Sequence, residues 1–88
     1  MSKQLATITI LTTDRQASSA AMNQLLTDYG HQILARLGVN VQKACVEHCT
    51  GLITIVLEAT KEEITELADK LNAIPEIKAE ACIMTAEL

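Results

Sequence analysis

The run LITIVLEATKEE, residues 52–63, decides the fold because a strand pattern and a helix start meet within it. Its first part, Leu52–Glu58, is the most apolar run of the chain and is apolar on both faces, which predicts a strand in the middle of a sheet. Its second part is a capping box, with Thr60 as the helix N-cap and Glu63 three residues later. We therefore expect a central strand that leads directly into a helix.

Downstream of the capping box, the pattern stays helical and then returns to a strand. Apolar residues recur on one helix face through Ala73, at Ile64, Leu67, Ala68 and Leu71. Pro75 ends this helix because proline disfavours helical backbone in the residue before it. Alternation from Ile77 to Met84 then predicts the fourth strand.

Upstream, the same two periodicities predict the first strand and the first helix. Leu5–Leu11 alternates and predicts strand one, with one face formed by Ala6, Ile8 and Ile10. Thr13 or Asp14 is the expected N-cap of the first helix. A stripe with a period of four predicts a helix from Arg15 to Leu37, with Gly38 as its C-cap; it consists of Ala21, Leu25, Tyr29, Ile33 and Leu37.

The segment between this helix and Leu52 predicts the second strand, from Val39 to Glu47. Its apolar residues change parity near Gln42–Lys43, which indicates a bulge or a loosely specified edge strand. The following residues, His48–Gly51, predict the tight turn of a hairpin between strands two and three.

The resulting order, β-α-β-β-α-β, specifies an α+β domain of the ferredoxin-like type, a four-stranded antiparallel sheet with two helices on one face. Right-handed crossovers place strands one and three in the centre. The whole chain, residues 1–88, is predicted to be one such domain. The other sheet face has no cover within the chain, so we expect this face or an edge strand to pack against another copy, in a dimer or tetramer. It presents Thr7, Thr9, Leu11, Thr54, Val56 and Met84.

Composition narrows the classes of function. The net charge is −4 and lysines and arginines do not cluster, so direct nucleic-acid binding is not expected. No apolar run approaches the roughly 20 residues that span a bilayer, and the N-terminus lacks a signal-peptide core. We therefore expect a cytoplasmic protein without a membrane segment. The three cysteines are expected as free thiols in that reducing environment.

Asp14 and Arg15 are the candidate ligand-binding residues, at the turn between strand one and the first helix. The amides at a helix N-terminus attract anions, although no glycine-rich loop accompanies this one. Enzymatic activity is not expected, because neither Ser18 nor Ser19 has a nearby histidine and no nucleophile–base pair is recognisable. We predict no catalytic residues, no bound metal and no cofactor.

Cys45, His48 and Cys49 suggest an alternative function, that of a metal or redox sensor, because thiolate and imidazole groups bind metals such as zinc. In an extended strand, however, positions four apart lie roughly 13 Å from each other, which disfavours both shared metal binding and a Cys45–Cys49 disulfide within one chain. Structural or incidental cysteines are therefore the first expectation, and a metal or redox site shared between subunits is the second.

Three segments together resemble a family of small bacterial proteins described as regulators of the iron-only hydrogenase system. They are Tyr29–Gly38, Ile53–Val56, and a C-terminal set formed by Leu67, Lys70, Leu71, Ile74, Pro75, Ile77 and Lys78. The resemblance covers nearly the whole chain and implies an ACT-like domain, similar to the C-terminal domain of nickel-responsive repressors. It also implies homo-oligomers and a regulatory role whose biochemical activity is poorly defined.

The chain departs from this family in three places. Glu76 stands where members tend to have glycine after the proline, and the segment Cys45–Cys49 is peculiar to this chain. The turn Thr12–Arg15 lacks the glycine of amino-acid-binding ACT domains, which argues against an amino acid as the ligand. The function implied is a non-enzymatic, homo-oligomeric, ligand-sensing regulatory domain that responds to a small-molecule effector.

Overall fold

The computed structural model describes residues 2–42 and 44–87, apart from the side chains of residues 40 and 85–87. Its elements are β1 Gln4–Thr12, α1 Arg15–Asp28, a 3₁₀ turn at Gly30–Gln32, β2 Ile33–Asn40, β3 Gly51–Ala59, α2 Lys61–Asn72 and β4 Ile77–Glu87. The strands form one antiparallel sheet in the order β2-β3-β1-β4. The ferredoxin-like fold is therefore confirmed, with the first and third strands in the centre.

The core lies between the sheet and the two helices, and it is aliphatic. On β1 the predicted face, Ala6, Ile8 and Ile10, is at most 1% exposed. The other wholly buried side chains of this layer are Ile55, Leu57, Ile64, Leu67 and Leu71. Each fully buried aliphatic side chain of this size contributes about 1.5–3 kcal/mol to folding, so this layer is the main source of stability.

The opposite side of the sheet, which we call the open face, carries no helix of the described chain. Five of the six residues predicted for it lie on it, because β1 and β3 pair in register and Thr9 Oγ1 lies 3.3 Å from Thr54 Oγ1. The sixth, Met84 of β4, shares the parity of Cys82, which pairs with Thr7. Leu11 is 37% exposed and Met84 is 52% exposed. Leu37 of β2 pairs with Thr54, so it joins this face, where it is 66% exposed.

The first helix is shorter than predicted, and its buried stripe is different. Helix α1 ends at Asp28 with Tyr29 as its C-cap, and Gly30 begins the 3₁₀ turn. Its buried residues are Ser18, Met22 and Leu26, whereas the predicted Ala21 is exposed. The period of four misled the prediction beyond Tyr29, because four is also a multiple of the strand period of two.

The second strand was predicted in the wrong place. It runs from Ile33 to Asn40 and pairs with β3, with its irregularity between Ile33 and Ala35 rather than near Gln42. Gly38 is a strand residue and not a helix cap. Residues 41–50, predicted as the end of a strand and a tight turn, form a longer connection; Lys43 within it lies outside the described residues.

Two side-chain devices hold α2 in place. The predicted capping box is present: Glu63 N donates to Thr60 Oγ1 at 3.2 Å, and Thr60 N donates to Glu63 Oε1 at 2.9 Å. At the other end, Asn72 Nδ2 donates to Ala79 O at 2.9 Å and Asn72 Oδ1 accepts from Ala79 N at 2.7 Å. The Asn72 amide therefore pairs with β4 as a neighbouring strand would.

Tyr29 joins the two helices, and its partly buried side chain packs against the core. The hydroxyl donates to Glu66 Oε1 and accepts from Lys70 Nζ at 2.9 Å. The Lys70 ammonium also lies 5.3 Å from the centre of the ring, within the range of a cation–π contact. The hydrogen bond from Tyr29 lowers the pKa of Glu66 below its usual value.

Candidate functional site

The turn between β1 and α1 contains Asp14, one of the two predicted ligand-binding residues. This residue is the N-cap of α1: its Oδ1 accepts from Ala17 N at 3.1 Å. Its other oxygen, Oδ2, lies 2.7 Å from His48 Nδ1 in the connection 41–50. The hydrogen bond with His48 lowers the pKa of Asp14, and the same bond raises the pKa of His48.

Connection 41–50 is closed by a disulfide bond between Cys45 and Cys49, whose Cα atoms lie 5.8 Å apart. The prediction that this disulfide is disfavoured and that all cysteines are free was wrong. The distance argument assumed an extended strand, but the segment turns back on itself and His48 has a left-handed φ of 50°. Cys82 on β4 is the free cysteine of the described chain, and it is exposed.

Gln16 attaches this connection to the first turn of α1. Its Nε2 donates to Val46 O at 3.2 Å, and its Oε1 accepts from Cys49 N at 3.1 Å. Arg15 N also donates to Cys49 O at 2.8 Å. Sequence reasoning missed Gln16, and no local signal could have found it, because its partners lie some thirty residues away in an irregular segment.

Two cavities flank this turn, one on each side. The first, about 390 Å³, lies between the start of α1 and the disulfide loop; it is lined by Asp14, Gln16, Ala17, Val46, Glu47 and His48. The second cavity, about 320 Å³, lies between α1 and the strands β2 and β3. We call the second the arginine cleft, because Arg15 and Arg36 both line it, with Met22, Asn23 and Ile53 among the other lining residues.

Arg15 crosses the end of β3 on its way into the arginine cleft. A Cβ atom on Gly51 would lie 2.7 Å from Arg15 Cδ and 2.8 Å from Arg15 Cγ, so the stem of Arg15 occupies the space that the glycine leaves. Arg15 Nε is buried and has no hydrogen-bond partner among the described residues. Arg36 is fixed separately, since its Nη2 donates to Asn23 Oδ1 at 2.9 Å.

The two predicted ligand residues therefore line different cavities, whereas the three predicted metal or redox residues lie in one loop. Asp14 and Arg15 are neighbours in sequence, but Asp14 faces the disulfide loop and Arg15 faces the arginine cleft. Cys45, His48 and Cys49 do lie in one loop, with His48 turned to Asp14. Within residues 2–42 and 44–87, no three histidine, cysteine or carboxylate side chains are grouped as a metal site would require.

Fold and site together define a small ferredoxin-like α+β domain with two ligand-sized cavities at its first strand–helix turn. Residues 4–81 match the family described as "TM1266-like: Iron-only hydrogenase system regulator, putative", and the chain belongs to this family. The resemblance drawn from Tyr29–Gly38 and the later segments is thereby confirmed. The family supports a regulatory role over an enzymatic one.

Solved structures were also compared with the chain. The chain is similar to uncharacterized protein TM1266 from Thermotoga maritima, with a TM-score of 0.83 and 26% identity over 94% of this chain and 99% of that one. A dimeric ferredoxin-like protein from an uncultured marine organism matches over 100% of both chains with a TM-score of 0.45 and 11% identity. No curated protein matches the sequence. The described part of the chain contains no helix with the length and apolar character that a membrane crossing requires.

Proposed function

We propose that the chain is a non-enzymatic regulatory domain of the cytoplasm that assembles with copies of itself and senses a small molecule beside Arg15. Membership of the regulator family supports the regulatory part. The single observation that carries the sensing part is the arginine cleft at the start of α1, with a buried Arg15 Nε that no described residue satisfies. A buried, unsatisfied donor is unfavourable by about 1–3 kcal/mol, and a ligand that accepts from it removes that cost.

A second copy of the chain is the occupant we propose for the open face. Leu11, Leu37 and Met84 are exposed there, and a domain of 88 residues gains much from covering them. Lys78 and Glu80 also lie on this face, 3.6 Å apart. A surface with both charges can meet its own copy around a twofold axis, because each lysine then faces a glutamate.

Native mass spectrometry tests the assembly. We expect a dimer or tetramer for the wild type, a shift toward monomer for Leu37→Asp on the open face, and no shift for Thr65→Asp. Thr65 is exposed on α2, so Thr65→Asp introduces the same charge away from the open face. A clean monomer mass for the wild type over a wide concentration range contradicts the proposed assembly.

A thermal-shift screen tests the sensing role independently of assembly. We expect at least one small molecule among amino acids, organic acids and nucleotides to raise the melting temperature, because a ligand that binds the folded state stabilises it by mass action. If no compound raises the melting temperature at saturating concentration, the chain is not a sensor of these classes.

The disulfide supports a second candidate function, a redox sensor. Reduction of Cys45–Cys49 breaks the S–S bond and yields two thiols, while an external dithiol supplies two electrons and two protons and becomes a disulfide itself. The loop that Gln16 and Arg15 hold would then lose its internal closure. A chain-entropy argument gives about 2 kcal/mol for a loop this short.

Alkylation and mass spectrometry before and after dithiothreitol report the state of the pair, and native mass spectrometry reports the response. A redox sensor changes its oligomeric state or ligand affinity when the pair is reduced. The variant Cys82→Ser is the matched control, because it removes the exposed free thiol and leaves the pair intact. Identical assembly and affinity in both states refute this function.

A further inference from the structure

We infer that the arginine cleft binds a small organic anion, with a carboxylate or phosphate head between Arg15 and Arg36 and an aliphatic body against Met22 and Ile53. The inference rests on the proposed sensing function, because it names the ligand class for that site.

The cleft brings together the positive charges of two arginines. Arg15 and Arg36 are the two arginines of a sequence whose net charge is −4, and both line this cavity. Two of the lysines elsewhere are paired: Lys70 Nζ lies 3.3 Å from Glu66 Oε1, and Lys78 Nζ lies 3.6 Å from Glu80 Oε1. No described carboxylate pairs with either arginine, so the positive charge of the cleft is left for a ligand.

Each arginine is fixed in a way that leaves donors available. The stem of Arg15 is confined by Gly51 and its buried Nε has no described partner. Arg36 lies opposite Ile55 in the β2–β3 register, on the side of the sheet that the helices cover, and it uses Nη2 to bond Asn23. Guanidinium groups held like this suit oxyanions, because two parallel N–H groups match two oxygens.

The walls and volume of the cleft define the rest of the ligand. At about 320 Å³, it is the size of a site for a small molecule rather than for a bare ion. Met22 of α1 and the partly buried Ile53 of β3 both line the cleft, so part of its wall is apolar. A ligand with an anionic head and a short aliphatic chain satisfies both parts of the cleft.

Nuclear magnetic resonance of ¹⁵N-labelled protein tests this directly, because the Arg15 Nε–H group has its own signal. The probes are pentanoate, butyl phosphate and the neutral pentanamide. We expect one or both anions to shift the Arg15 Nε–H signal and the amides of the cleft, and pentanamide to leave them unchanged. The anion that binds more tightly identifies the head group as carboxylate or phosphate.

Three variants separate this site from general attraction of anions. Arg36→Gln should weaken binding by about tenfold or more, since a charge-assisted hydrogen bond is lost. Gly51→Ala should also weaken it, because the new methyl group displaces the Arg15 stem. Lys61→Gln removes the same charge from the exposed start of α2 and should bind as the wild type does.

The inference is overturned if neither anion moves the Arg15 Nε–H signal, if pentanamide binds as well as pentanoate, or if Lys61→Gln weakens binding as much as Arg36→Gln. The proposed sensing function fails separately. If both anions leave the Arg15 Nε–H signal unmoved while another compound from the thermal-shift screen stabilises the protein and moves that signal, the sensing function stands and this inference falls.

Discussion

Replacing Glu76 with glycine should stabilise the protein relative to replacing it with alanine, the reverse of the usual order. Glu76 has a φ of 71°, in the left-handed region. A residue with a Cβ atom is disfavoured there by about 1–2 kcal/mol, and glycine is not. The backbone of this turn therefore favours glycine at position 76.

The magnitude follows from what each variant loses. Both variants lose the hydrogen bond that Thr13 Oγ1 donates to Glu76 Oε2 at 2.5 Å, an exposed contact of about 0.5–1 kcal/mol. Both keep the backbone bond from Thr13 N to Glu76 O at 3.0 Å. Glu76→Ala also keeps the unfavourable φ, so its stability should fall by about 0.5–1 kcal/mol. Glu76→Gly gains about 1–2 kcal/mol from relief of φ and loses about 0.4–1 kcal/mol through the freer unfolded chain, so it should lie near the wild type.

Urea denaturation at one fixed protein concentration measures this difference, because stability in an oligomer depends on concentration. Glu80 in β4 is the matched control: it is exposed and has an extended backbone, so Glu80→Gly should be less stable than Glu80→Ala by about 0.5–1 kcal/mol. If glycine is no better than alanine at position 76, or better than alanine at both positions, the assignment of a left-handed turn after Pro75 is wrong.

Three further predictions follow from other parts of the structure. A ¹H NMR titration should give a pKa of His48 above its usual value, and Asp14→Asn should return that pKa toward the usual value. The stability contributed by this pair should be lost as pH rises through the raised pKa of His48, and also as pH falls through the lowered pKa of Asp14. An unshifted pKa of His48, with no change in stability across this pH window, contradicts the contact. Thr60→Ala should lower the free energy of unfolding by about 1 kcal/mol, and Thr60→Asn should restore most of it, in chemical denaturation. Leu57→Ala should lower it by about 2–5 kcal/mol, whereas Leu34→Ala, at a position 60% exposed, should change it by less than about 1 kcal/mol; equal effects would contradict the core assignment.

Local sequence patterns predicted the secondary structure correctly where the apolar residues fit only a helix or only a strand. The capping box at Thr60 and the buried face of Ala6, Ile8 and Ile10 are confirmed. Beyond Tyr29 the apolar residues fit a helix and a strand equally, and the pairing of β2 with β3 decides between them. That pairing joins segments far apart in sequence, so no periodicity within the first helix reveals it.

Sequence patterns placed Asp14 and Arg15 at the turn between β1 and α1 but did not reveal their contacts, and ligand binding by these two residues stays a prediction. Asp14 is the N-cap as expected, and the cysteine pair failed because its loop was taken for a strand. Arg36 falls within the predicted helix Arg15–Leu37, whereas its actual position on β2 lets it line one cavity with Arg15. Such contacts depend on tertiary register, which the residue types alone do not encode.

The Asn72 amide has a consequence for how copies of this chain can meet. The sheet has two outer strands, β2 and β4, and an outer strand with free N–H and C=O groups invites a strand from another molecule. At Ala79 both groups of β4 are already taken by Asn72. Edge-to-edge polymerisation needs two open edges on every molecule, and this single side chain blocks strand addition to β4 at Ala79.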